Sequence, residues 1–169
     1  VLGIGEGDEV IVPAMTYTAS CSVIYHVGAK AVIVDIAEDS HEMDYDALAN
    51  AITENTKAVI PVDLAGIPCD YNKIFEVVEN KKHLFKANSE YQEKLGRVAV
   101  VADGAHALGS TYKGKEIGSV ADFTTFSFHA VKNFTTAEGG SVTWKQNENF
   151  DNEELYNCLL YTSLMARGR

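Results

Sequence analysis

Two short stretches carry side chains able to do covalent and proton-transfer chemistry. The first, SFHAVKNFTTAEGG (127–140), places a single lysine, Lys132, between an apolar, aromatic lead-in and a run of hydroxyl residues that closes on two glycines. The second, VVADGAHALGS (100–110), ends an apolar run on Asp103 and sets His106 three residues later. An amine on a flexible stem that leaves an apolar strand end is partly desolvated, which favours its uncharged, nucleophilic form. Such an amine attacks carbonyls and forms a Schiff base.

Other chemistries fit the same residues less well. Ser127, His106 and Asp103 are the types of a serine hydrolase, yet the chain has no G-x-S-x-G elbow and Ser127 ends an aromatic strand instead of sitting on a strained turn. Asp63, Asp103 and His106 could ligate a metal by type, but no close-spaced ligand motif accompanies them, and no metal is expected. The glycines of GIGEGD (3–8) precede a strand, whereas a dinucleotide loop follows one. Lysine with aspartate points instead to pyridoxal 5'-phosphate (PLP). That cofactor needs an amine for its aldehyde and a carboxylate that keeps its ring nitrogen protonated, so that the ring can accept a carbanion's electrons.

These groups have to be held by a scaffold, and the hydrophobic pattern indicates which. Apolar runs recur at EVIVP (9–13), KAVIVDI (30–36), KAVIPVD (57–63), RVAVVADG (97–104), DFTTFSF (122–128) and GSVTW (140–144). Several are apolar without alternation, as in parallel strands covered on both faces. Helical segments lie between them. TASCSVIYHVGAK (18–30) contains a glycine suited to a helix end, and DYDALANAITENT (44–56) and DYNKIFEVVENKK (70–82) each open on an aspartate cap. The alternation predicts an α/β fold, a mostly parallel sheet with helices on both faces. In such sheets ligands bind at the carboxyl ends of the strands, where Asp35, Asp63 and Asp103 fall. The polar stretch 83–97 reads as a surface excursion with at most a turn or two of helix.

Composition narrows the partners. With 24 acidic against 14 basic residues, the net charge of −10 repels phosphate backbones and anionic lipid, so neither nucleic acid nor membrane is an expected partner. The apolar runs are too short to cross a bilayer, and the three scattered cysteines suit a reducing cytoplasm. The 169 residues are enough for one domain, and the opening at Val1 reads as the middle of one.

The chain resembles the DegT/DnrJ/EryC1/StrS sugar aminotransferases, PLP enzymes of fold type I. The resemblance runs through GDEVIVPAMTYTAS (7–20), GAKAVIVDI (28–36), AITENTKAVIPVDLAG (51–66), VADGAHALGSTYKGKEIG (101–118) and FSFHAVKNFTTAEGG (126–140), in the family's order and close to its spacing. It implies the large, cofactor-binding domain of such an enzyme over 1–156, incomplete at both ends, with 157–169 departing from the pattern. It implies that Lys132 holds PLP as an internal Schiff base and shuttles protons. Asp103 would pair with the ring nitrogen, His106 would lie near the ring hydroxyl, Tyr17 would stack on the ring and Ser127 would bond the phosphate. The implied reaction moves an amino group, with glutamate as the expected donor, onto a nucleotide-linked keto-sugar, in a homodimer. Two alternatives remain open: a PLP-dependent sugar dehydratase, in which relatives replace the lysine with histidine, and a catalytically silent relative that binds a sugar nucleotide.

Overall fold

The computed structural model describes residues 1–166; positions 167–169, the end of the segment 157–169 that the sequence sets apart as an expectation, lie outside the described residues. Six strands form one sheet in the order β2-β1-β3-β4-β7-β8. Their ranges are β1 Glu9–Pro13, β2 Lys30–Val34, β3 Thr56–Val59, β4 Ala99–Asp103, β7 Phe123–Ser127 and β8 Gly140–Trp144. All neighbours run parallel except β8, which pairs antiparallel with β7. A small hairpin, β5 Thr111–Tyr112 and β6 Lys115–Glu116, stands apart.

The unbroken apolar runs follow from burial on two sides. Val10, Val12, Ala58, Ile60 and Ala99 pack on one face with Ile24 of helix α1 (Thr18–His26). Ile11, Val59, Val98 and Val100 face the other way, onto Leu48 of α2 (Tyr45–Ala51) and Ile74 and Val78 of α3 (Tyr71–Asn80). Successive residues of one strand therefore enter opposite cores, which is why the runs are apolar without alternation. The aspartate caps form as expected: Asp44 accepts the N–H groups of Asp46 and Ala47, and Asp70 that of Lys73. Gly28, at φ 82°, takes the left-handed turn after α1.

The 83–97 stretch is more firmly seated than its polarity suggests. It contains α4 (Glu90–Leu95), capped by Ser89. Buried Gln92 donates through Nε2 to the Leu2 carbonyl at 2.7 Å, and Ser89 Oγ donates to the same oxygen at 2.8 Å. Asn88 donates to both oxygens of buried Asp8 at 2.9 Å. Lys57, itself buried, donates to the carbonyls of Glu54 and Lys86 at 3.0 and 2.6 Å. Gln92 is buried and Ser89 half-buried while His83, Lys86, Asn88, Glu90 and Glu93 stay exposed, so a hydropathy pattern could not reveal the polar anchors. The last helix, α5 (Asn152–Ala166), runs without a break through position 157, where the sequence reading begins the tail.

An ion pair ties the start of β4 to the start of β7. Arg97 donates to both oxygens of Asp122, at 2.7 and 2.9 Å, and Asp122 also accepts the Val100 N–H at 2.8 Å. Removing the carboxylate leaves a strand amide and two guanidinium donors without their acceptor, while Arg97 keeps Glu79 and the Val98 carbonyl. We expect Asp122→Ala to lower the unfolding free energy by about 3–5 kcal/mol in urea titrations of the full-length protein. A loss below about 1 kcal/mol would mean that solvent takes over these donors.

Candidate active site

The carboxyl ends of β1, β3, β4 and β7 lie side by side and open into one cavity of about 740 Å³. That volume is ordinary for a bound cofactor with part of its substrate. Each strand delivers a different group. After β1 come Thr16, Tyr17 and Ser20; after β3, Asp63; at the end of β4, Asp103 with His106 beyond it; at the end of β7, Ser127 and then Lys132. All five residues singled out from the sequence, Lys132, Asp103, His106, Tyr17 and Ser127, therefore line a single cavity.

Asp103 is set at its height by the backbone. Its N–H donates to the Pro61 carbonyl at 2.8 Å, and its own carbonyl accepts the Asp63 N–H at 3.0 Å, which extends the parallel ladder past the regular end of β3. The next residue is Gly104, and a Cβ there would lie 2.9 Å from Thr124 Cγ2 and 3.1 Å from the Phe126 ring. Only glycine lets the chain turn this close over β7. Asp103 Oδ1 accepts the Ala105 N–H at 3.0 Å, and Oδ2 accepts the Ser20 hydroxyl at 2.6 Å.

His106 bridges two loops. Its Nδ1 accepts the N–H of Ala65 at 3.2 Å, from a residue held at φ 56° in a tight turn after β3. Its Nε2 is 3.0 Å from Lys132 Nζ. The lysine loop is tied back in turn. Asn133 Nδ2 donates to the Leu108 carbonyl at 3.0 Å, and the Phe128 and Phe134 rings meet edge to face at 5.2 Å. Tyr17 starts α1 with 75% of its surface exposed, an aromatic face presented to the cavity mouth. Ser127 Oγ accepts the His129 N–H at 3.3 Å and keeps its own proton available.

The donor set fits PLP. It comprises a lysine amine, a carboxylate able to accept a ring N–H, an imidazole beside the amine, an open aromatic face and a hydroxyl, all lining one cavity. Sequence reasoning missed Ser20, whose contact with Asp103 spans 83 positions and follows no local spacing, and Thr16, which bonds Ser20. It also left Asp63 without a role. That carboxyl is 1% exposed, accepts the Cys69 N–H and the Tyr71 hydroxyl at 2.9 Å each, and lies under the cavity floor.

The profile of the DegT/DnrJ/EryC1/StrS aminotransferase family matches residues 1–160. The chain belongs to this family. It is 66% identical to the Streptococcus pneumoniae protein Spr1654, a sugar aminotransferase by name, solved in PLP, PMP and apo forms. The PLP form superposes with a TM-score of 0.92 over 92% of this chain and 40% of that one. The spore coat polysaccharide biosynthesis protein SpsC of Bacillus subtilis is 40% identical over 167 residues, 99% of this chain and 38% of that protein. The GDP-perosamine synthase of Escherichia coli O157:H7 is 40% identical over 150 residues, 89% of this chain and 37% of the enzyme. The chain thus spans under two-fifths of the length of these two curated relatives. The fold is that of the large domain of fold-type I PLP aminotransferases. No helix among the described residues is long and apolar enough to cross a membrane.

Asp63 gives a measurable signature. Burial pushes its pKa from 3.8 to about 6, the Cys69 and Tyr71 hydrogen bonds oppose that rise, and the Asp103 charge adds to it. A raised folded value means that the folded chain holds the proton more tightly than the unfolded one between these limits. The contribution of Asp63 to stability therefore falls as pH rises from about 4 to about 6, by on the order of 3 kcal/mol. Asp63→Asn should remove that slope from the difference between the two proteins' unfolding curves across this range. Parallel pH dependences would show that the carboxyl is not desolvated.

Proposed function

We propose that the full-length protein is a PLP-dependent aminotransferase that moves an amino group from an amino acid, with glutamate as the expected donor, onto the keto group of a nucleotide-linked sugar. The observation that carries this reading is the placement of Lys132 and Asp103 in one cavity together with an open aromatic face. The cofactor, when bound, supplies the electron sink that makes a carbon–hydrogen bond next to nitrogen acidic. Lys132 Nζ would hold the cofactor's aldehyde and would serve as the base that moves the proton at the substrate carbon next to nitrogen. Asp103 accepts the ring N–H and keeps that proton in place. His106, with its Nε2 against Lys132, orients the amine. Tyr17 covers the ring face and excludes water, and Ser127 donates to the phosphate.

The substrate class is supported by the company the chain keeps, a GDP-perosamine synthase and a spore coat polysaccharide protein. A second copy of the chain is the proposed partner. Val131 and Phe134 beside the lysine and Leu108 facing them are exposed apolar side chains, suited to cover by another subunit. Cys21, Cys69 and Cys158 are free thiols, which supports a cytoplasmic setting.

Borohydride reduction of the full-length protein loaded with PLP should fix a pyridoxyl group on Lys132, visible by peptide mass. Lys132→Ala should lose both that label and the cofactor's absorption, and should slow the glutamate half-reaction by at least about 10²-fold. A label on another residue, or an unchanged rate in the variant, would remove Lys132 from the reaction. Product analysis with keto-sugar nucleotides separates amination from dehydration, since only amination transfers nitrogen from labelled glutamate.

A further inference from the structure

Ser20 lies in the first turn of α1, 5% exposed, with its hydroxyl 2.6 Å from Oδ2 of Asp103. A carboxylate accepts and does not donate, so the Ser20 proton goes to Asp103. That assignment decides the direction of the next contact, between Ser20 Oγ and Thr16 Oγ1 at 2.7 Å. Ser20 has only one proton, so Thr16 must donate to Ser20. The outcome is a one-way hydroxyl chain from Thr16 through Ser20 to Asp103. The other carboxylate oxygen accepts the Ala105 N–H at 3.0 Å. Asp103 is thus gripped from two directions, by α1 through Oδ2 and by the loop after β4 through Oδ1.

The chain of hydroxyls has a second consequence. Tyr17 lies between Thr16 and Ser20 in the same turn and has no side-chain capping bond of its own. Whatever fixes Ser20 against Asp103 also fixes the position of the aromatic face relative to the carboxylate. Building on the cofactor reading above, we propose that Ser20, backed by Thr16, is a positioning residue. It orients the Asp103 carboxylate for the cofactor's ring N–H and sets the spacing between that carboxylate and Tyr17. A serine buried for packing alone would have no such directional bond to a cavity-lining carboxylate.

The test compares Ser20→Ala and Ser20→Thr with the wild type in the full-length protein, measuring dissociation constants by absorbance titration with two probes. One is PLP; the other is its 1-deaza analogue, in which carbon replaces the ring nitrogen and Asp103 has no N–H to accept. Loss of one hydrogen bond to a charged acceptor should weaken PLP binding about tenfold or more in Ser20→Ala. Ser20→Thr, which keeps the hydroxyl, should restore it, and the deaza analogue should bind wild type and Ser20→Ala alike. Equal PLP affinity in wild type and Ser20→Ala overturns the proposal. So does an equal loss for both probes, which would place the effect in packing and not in the route through Asp103. A wild-type protein that binds no PLP at all overturns the cofactor reading itself, and this role with it.

Discussion

The site depends on a pair of backbone hydrogen bonds at the carboxyl ends of β3 and β4. Asp103 donates its N–H to the Pro61 carbonyl and accepts the Asp63 N–H on its own carbonyl, which carries the parallel ladder beyond its last regular residue. In a parallel sheet each added rung fixes the height of both chains. Here it fixes the two aspartates next to one another at the floor of the cavity. Gly104 then permits the close turn that brings His106 over to Ala65, and His106 meets Lys132. If that rung were displaced, the carboxylate, the imidazole and the amine would move out of register together.

Placing two carboxylates side by side is costly, and the structure meets the cost differently at each. Asp63 is buried and takes hydrogen bonds from Cys69 and Tyr71, yet burial still wins and its pKa rises to about 6. Asp103 stays at the cavity wall, in reach of solvent or ligand, with one donor on each oxygen. The deeper group is a structural strut and the outer one is presented to the cavity. Similar logic separates Lys57, buried against carbonyls beneath the 83–97 stretch, from Lys132, whose amine meets an imidazole at the cavity wall. The two lysines are told apart by their acceptors.

Much of this was legible in the amino-acid order because parallel strands buried on both faces leave continuous apolar runs, and because helix caps are local. Asp44 and Asp70 cap the helices they precede, and Asp103 closes the run that becomes β4. The seating of 83–97 was not legible. Its anchoring groups are polar, and their partners, the carbonyl of Leu2 and the side chain of Asp8, lie 80 to 90 positions earlier in the chain.

Residue type and local order by themselves determined which groups could do chemistry: an amine after an apolar strand, a carboxylate at a strand end, and a histidine one turn beyond it. Those properties depend on neighbours within a few positions. Only the tertiary structure decided that the groups share one cavity, that Ser20 reaches Asp103 across 83 positions, and that Ala65 meets His106 from the loop after β3. The physical reason is that a hydrogen bond between distant segments depends on the order and register of strands. Register is settled by how all the strands pack at once, and no single stretch of sequence carries it.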